Sequence, residues 1–248
     1  MPRLLQIDSC RGILSTGRIT ESIGRLASEC GWDCHIAHGA RYVGRSQMSS
    51  YQIGSVMDEY IHFAGSLFLD RHGLGSSFAT KRLLNKIEND IKPDLIHLHC
   101  IHGYYLNYKL LFEYLSQKKI PVVWTFHDCW AFTGHCAHFE NVRCTKWKTN
   151  CAECPNLQQY PRSITDASER SYKLKRRLFT SLHDLTVVPV SEWMTELVYA
   201  SFMNKAKVKT ICNGVDISLF NLCSEDERTD LKNGLGVGQR KMILGVAG

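Results

Sequence analysis

Short apolar runs rich in β-branched residues recur along the chain: "RLLQID" (3–8), "CHIAH" (34–38), "DLIHLHC" (94–100), "PVVWTFH" (121–127), "LTVVPVS" (185–191) and "VKTICNG" (208–214). Between them lie stretches with helical spacing at about 19–30, 76–90, 104–117, 166–180 and 192–201. In the first of these, Ile19, Ile23, Leu26 and Ala27 fall on one helical face, and Gly31 is placed to end the helix. Runs that are apolar throughout belong to strands covered on both faces. The alternation therefore predicts an α/β fold with a Rossmann-like, doubly wound, mainly parallel sheet. Ligands of such sheets lie beyond the carboxyl ends of the strands, so the residues that follow each strand are the ones to weigh.

The pattern fades after "ICNGVD". Residues 217–240 carry charge and glycine without apolar periodicity and read as a linker, and "KMILGVAG" (241–248) reads as a new strand. The expected organisation is a first domain over 1–216, a linker over 217–240 and the first strand of a second α/β domain over 241–248. The alternative is that the last strand joins the first sheet.

Composition narrows the class. The 248 residues are 44% hydrophobic and contain no apolar run near the ~20 residues that a spanning helix requires. The N-terminus lacks the pattern of a secretory signal, which makes the cytoplasm the expected compartment. Eleven cysteines then read as free thiols or metal ligands. The net charge of +6 permits an anionic partner without selecting one, and no basic stripe interleaved with aromatics marks a nucleic-acid surface.

Four features carry candidate chemistry. The turn "DSCRGILSTGRITESIG" places Gly12 and Gly17 between the first strand and first helix, with Ser15 and Thr16 beside a helix N-terminus. That arrangement suits an anion approaching backbone N–H groups, and it equally suits a plain loop capped by Thr16. In "TFHDCW", His127 and Asp128 stand at the end of a buried strand, where a histidine serves in proton transfer or is satisfied by nearby backbone. His97 and His99 share one strand face and read as buried, hydrogen-bonded histidines. The insertion over 128–160 holds Cys136, Cys144, Cys151 and Cys154 in a C-x7-C-x6-C-x2-C spacing, whose last knuckle suits a structural zinc; His135, His138 and Cys129 are substitute ligands. The same cysteines also read as reduced thiols packed with Trp130 and Trp147. A fifth segment, "RSYKLKRRLFTSL" (170–182), sets Lys173, Lys175, Arg176 and Arg177 beside Leu174, Leu178 and Phe179. It fits an anionic membrane surface, or a solvated face over a core stripe.

In order along the chain, "STGRITESIGRLASECGWDCHIAHG", "HDCWAFTGHC", "CTKWKTNCAECP", "VVPVSEWM" and "ICNGVDISLF" resemble the N-terminal half of a family 4 glycosyltransferase of the GT-B type. The resemblance is to bacterial enzymes of capsule, colanic-acid and lipopolysaccharide assembly. It implies two Rossmann-like domains across a cleft, a nucleotide-sugar donor, a glycan or lipid-linked acceptor, and retaining transfer without a catalytic metal. It also implies that Gly17, flanked by Thr16 and Arg18, lines the cleft, that His127 with Asp128 lies near the reacting sugar, and that Asn213 and Gly214 form the interdomain hinge. The paired glutamates of the family belong to its second domain, so little transferase activity is expected of residues 1–248 alone. A nucleotide-sugar epimerase of the same fold and a zinc-stapled nucleic-acid module are the alternatives. No nucleic-acid partner is expected.

Overall fold

In the computed structural model, which describes all residues except Leu219, Gln239, Leu244, Val246, Ala247 and Gly248, seven strands form one sheet. They are β1 (Arg3–Arg11), β2 (Asp33–Val43), β3 (Ser49–Gln52), β4 (Leu95–Leu98), β5 (Val122–Phe126), β6 (Leu185–Pro189) and β7 (Lys207–Val208). The order is β3-β2-β1-β4-β5-β6-β7 and every pair is parallel. The α/β, doubly wound fold expected from the pattern is the one observed. Consecutive residues of β1 are buried on both faces, Leu4, Leu5 and Ile7 all being at most 4% exposed, as two-sided cover requires. The strand order reverses between β1 and β4, and this switch point opens a crevice at the carboxyl ends.

Helices α1 (Leu14–Glu29), α2 (Val56–Leu69), α3 (Ser77–Lys86), α4 (Tyr108–Gln117), α5 (Ser168–Phe179) and α6 (Glu192–Ala200) complete the main unit. Helix α1 departs from expectation. It begins at Leu14 rather than near 19, and the residues it buries are Gly17, Thr20 and Gly24, whereas Leu26 is 53% exposed. Small residues bring the helix close to the sheet: a Cβ on Gly24 would collide with Met48, and Gln6 Nε2 donates to the Thr20 carbonyl at 2.9 Å.

Two elements of this unit escaped the pattern, β3 and α2. Helix α2 is amphipathic in reverse, with Glu59, His62 and Ser66 inside and Met57, Tyr60, Ile61 and Phe68 outside. Glu59 and His62 on this polar face are satisfied locally. Glu59 accepts from the Ala40 N–H at 2.6 Å and pairs with Arg41 at 3.2 Å, while the Gly75 N–H donates to His62 Nε2 at 3.0 Å. A buried polar stripe offers no apolar signal, so periodicity alone passes over it.

The chain divides into a unit over Met1–Asn213 and another over Gly214–Gly248. The second contains α7 (Glu225–Gly234), inside the stretch expected to be linker, and its start is a capping box formed by Ser224 and Glu227. The strand expected over 208–214 shrinks to Lys207–Val208. The strand expected over 241–248 falls partly outside the described residues, and the described ones, 241–243 and 245, belong to no element.

Several buried histidines are held neutral. Burial pulls His62 and His97 each down to about 4, and does the same to His127. In the unfolded chain these groups take up protons near 6.5, whereas in the folded protein they do so only near 4. The unfolded state therefore holds more protons in between, and stability is lost as pH falls through that window. For His97, 9% exposed, the contribution is on the order of 3 kcal/mol at the acid end. Denaturant midpoints measured between pH 7 and 4.5 should fall steadily; a flat profile would contradict neutral burial.

Candidate active site at the carboxyl ends of the strands

The site is built from the loops that leave β1, β4 and β5. At the end of β1 the Asp8 carboxylate is fully buried and burial raises its pKa, opposed by donors on several sides. Thr20 Oγ1 donates to it at 3.0 Å, the Ser9 N–H at 2.7 Å and Thr16 Oγ1 at 3.4 Å. Thr16 lies 3.1 Å from Cys10 Sγ as well. Its hydroxyl thus ties the β1–α1 loop together, and it caps nothing, since the helix is preceded by Ile13 without a side-chain cap. Gly17 is buried, and a Cβ there would press on Cys10 Sγ and the Gly12 and Arg11 backbone nitrogens at 3.1–3.2 Å. The close approach that demands glycine is made by the protein's own loop. Gly12 has φ +66° and a Cβ there would meet the Arg45 carbonyl. Arg18 is exposed on α1.

From β4 and β5 comes a file of imidazoles. His97 Nε2 and Thr125 Oγ1 are 2.8 Å apart, His99 Nε2 lies 3.2 Å from Gln6 Oε1, and His99 Nδ1 is 3.2 Å from His127 Nε2. His97 and His99 are the buried, hydrogen-bonded histidines expected. His127 is half-buried at the strand end and stacks on His99, ring centroids 5.5 Å apart.

Asp128 turns the other way. Its Oδ2 is 2.8 Å from His102 Nε2 and its Oδ1 accepts the Trp130 N–H at 2.8 Å. Burial acts to raise this carboxyl, but the His102 imidazole and the Trp130 N–H outweigh it and hold the group below its ordinary value. On the far side, His102 Nδ1 is 2.9 Å from the Tyr160 hydroxyl. Tyr160 is 44% exposed, yet its hydroxyl end turns inward, and burial with Tyr104 nearby pushes the phenol well above its ordinary value. An ionised acceptor at one nitrogen and a protonated donor at the other fix the tautomer: His102 carries its hydrogen on Nε2 and accepts from Tyr160 at Nδ1. His72, Tyr104 and Trp130 wall this relay, with His102 and Trp130 centroids 5.1 Å apart. Cys100, His102 and Asp128 present ligand atoms within 4.8 Å of one another.

The sequence singled out Asp128 and His127 but passed over His102, Tyr160 and Asp8. His102 follows β4 by four residues, just past the "HLHC" run, and position after a strand was the available signal. Tyr160 comes from the far end of the insertion, 58 residues away, and nothing local marks it. Asn213 and Gly214 are exposed where the two units divide. The basic segment is α5, but Lys175 is fully buried with Tyr172, Leu178 and Phe179, so a core stripe runs along it as one alternative held. Arg170 and Arg177 remain outside and line a hollow of about 440 Å³ with Leu74 and Leu174. Arg71 lines the adjoining one, and none of these three guanidinium groups has a hydrogen bond or ion pair among the described residues.

A sheet reversing at β1/β4, with polar groups gathered at its carboxyl edge, is a doubly wound α/β domain whose ligand crevice lies at that edge. The chain belongs to Glycosyltransferase Family 4, whose family model matches residues 17–219. It is 30% identical over 143 residues to a putative colanic acid biosynthesis glycosyl transferase, WcaC, of Escherichia coli K12, covering 55% of this chain and 35% of that protein. A solved sucrose-phosphate synthase from Thermosynechococcus elongatus shares the fold, with a TM-score of 0.57 and 11% identity over 95% of this chain and 53% of the other. The chain thus spans about a third of the curated relative and half of the solved structure.

Proposed function

We propose that this chain supplies the acceptor-facing half of a glycosyltransferase that moves a sugar from a nucleotide-sugar to a glycan or lipid-linked acceptor in cell-surface polysaccharide synthesis. The observation that carries it is the Asp128–His102–Tyr160 relay at the switch point of a family 4 domain. An acceptor hydroxyl seated on Tyr160 would stand at the end of a hydrogen-bonded chain that terminates in an ionised carboxylate. As its oxygen bonds to the sugar carbon and the diphosphate leaves with the bond's electron pair, the acceptor hydroxyl's proton would pass to the Tyr160 oxygen while Tyr160 gives its own proton to His102 Nδ1, and the imidazolium so formed would be held by the Asp128 carboxylate. The buried aromatic wall of His72, Tyr104 and Trp130 shields the relay from water. The diphosphate would be held by placed positive charge outside this site, consistent with a retaining enzyme.

Family membership and the three free arginines support a second element of the proposal. Arg71, Arg170 and Arg177 flank apolar Leu74 and Leu174, a combination that would suit anionic lipid headgroups on a membrane that carries the acceptor. No helix among the described residues is long and apolar enough to cross a membrane.

In the full-length protein, His102→Gln and Asp128→Asn should each lower kcat by roughly 10²–10³-fold, with Tyr160→Phe milder, because the relay acts on the reacting hydroxyl. His127→Ala should also slow turnover, through loss of the ring that supports the strand end. A rise in KM at unchanged kcat for His102→Gln would reduce the relay to a binding contact. Arg170→Glu combined with Arg177→Glu should cut sedimentation with vesicles containing anionic phospholipid several-fold and leave the folded melting profile intact. Equal binding by both proteins would remove the membrane element.

A further inference from the structure

A second imidazole faces the Tyr160 hydroxyl. His72 is 5% exposed, and its ring is enclosed edge-on by Tyr104, Trp130 and Tyr160 at centroid distances of 4.9, 5.7 and 5.5 Å. The backbone on either side of it is pinned. The Asp70 carboxylate takes the Ala167 N–H at 2.8 Å and lies 2.7 Å from His135 Nδ1, while the Tyr108 N–H donates to the Gly73 carbonyl at 2.9 Å. Gly73 has φ +74°, and a Cβ there would press on the Tyr108 ring at 2.7 Å. Packing and a held backbone therefore fix where this imidazole sits.

Its two nitrogens differ. Nε2 is 3.5 Å from the Tyr160 hydroxyl, whereas Nδ1 is buried without a hydrogen-bond partner among the described residues. Tyr160 thus has one hydroxyl hydrogen and two imidazoles in reach, His102 Nδ1 at 2.9 Å and His72 Nε2 at 3.5 Å. The hydrogen goes to His102, whose Nε2–H is committed to the Asp128 carboxylate and whose Nδ1 is left as an acceptor. The phenolic oxygen then has only lone pairs to offer His72, which bonds it by donating from Nε2. In the opposite tautomer a buried N–H on Nδ1 would find no acceptor, and Nε2 would compete with His102 for the single hydrogen. The ring is neutral, since burial takes it well below its ordinary value and the neighbouring His102 acts in the same direction.

We infer that His72 is a positioning residue of the transfer reaction, whose Nε2–H donates to the Tyr160 oxygen and commits the phenolic hydrogen to His102 Nδ1. This assignment rests on the relay proposed for Asp128, His102 and Tyr160. As the acceptor's proton reaches the Tyr160 oxygen and the phenol's own proton passes to His102, His72 keeps its hydrogen and changes no bond. Its contribution is orientation. A hydroxyl rotates about its C–O bond, and a donor on one lone pair leaves one direction for the hydrogen and the other lone pair for the acceptor. The 3.5 Å contact is long, and hydrogen bonds of a reacting site tighten as charge develops on the oxygen they reach.

A spectrum and a kinetic cycle together test this. In the ¹⁵N imidazole spectrum of the unmutated protein at pH 7, assigned through a His72→Gln control, His72 should be a neutral ring with its hydrogen on Nε2, and that signal should shift in Tyr160→Phe. In the full-length protein, assayed with a panel of nucleotide-sugars and an oligosaccharide acceptor, His72→Leu should lower kcat about tenfold at nearly constant KM. His72→Gln, which keeps an N–H at that place, should retain most of the rate. Combined with Tyr160→Phe, where no phenolic hydrogen needs directing, His72→Leu should cost nothing further. A hydrogen on Nδ1, a protonated ring at pH 7 or full kcat in His72→Leu would each overturn the assignment. So would an equal loss with and without the Tyr160 hydroxyl, which would leave His72 a packing residue. If instead Tyr160→Phe and His102→Gln turn over like the unmutated enzyme, the relay itself fails and His72 with it, so the two failures are told apart.

Discussion

The contact between the Asp128 carboxylate and His102 Nε2, 2.8 Å across, joins the loop after β4 to the loop after β5, and the geometry of the carboxyl edge follows from it. Removing an ionised carboxylate from water costs several kcal/mol, recovered only when each oxygen meets a donor. Here one oxygen takes the His102 N–H and the other the Trp130 N–H. The second bond starts the turn that turns Trp130 inward. That indole then walls the active site on one side and receives Lys175 Nζ on its face. This one buried carboxylate therefore orients the imidazole, takes its Nε2–H and anchors the first residues of the cysteine-rich insertion.

The loop after β1 is organised by the same physics with a different outcome. Asp8 is buried more deeply, its partners are the hydroxyls of Thr16 and Thr20 and the Ser9 N–H, with no cation among them, and burial prevails to raise its pKa. Asp8 accordingly holds its loop in shape, whereas Asp128 lends charge to a neighbour that faces the crevice. The two carboxylates flank the switch point and divide structural and chemical duty between them. The insertion closes the arrangement by carrying Tyr160 back over His102, so a segment that looks like an ornament in sequence delivers one end of the relay.

Much of this was legible from residue order. Doubly covered strands such as "DLIHLHC" are apolar without alternation, so the parallel sheet could be read directly, and the rule that ligands sit past strand ends led to His127 and Asp128. What escaped did so for physical reasons. Helix α2 hides Glu59, His62 and Ser66 inside and turns its apolar residues outward, inverting the signal on which helix recognition depends. Helix α1 packs through glycine and threonine, so its visible apolar stripe pointed away from the true contact. Lys175 counted as surface charge because an isolated lysine in a core is rare, and only the Trp130 face and two carbonyls explain it. His102 and Tyr160 meet only in three dimensions.

The most direct test of the relay is the ¹⁵N imidazole spectrum of His102, assigned through a His102→Gln control and recorded while an oligosaccharide acceptor is added. The expected result is a single tautomer protonated on Nε2, lost to a tautomer mixture in Asp128→Asn, with the Nδ1 signal moving as the acceptor displaces or recruits the Tyr160 hydroxyl. A mixed tautomer in the unmutated protein, or a His102 signal indifferent to both Asp128→Asn and the acceptor, would contradict it.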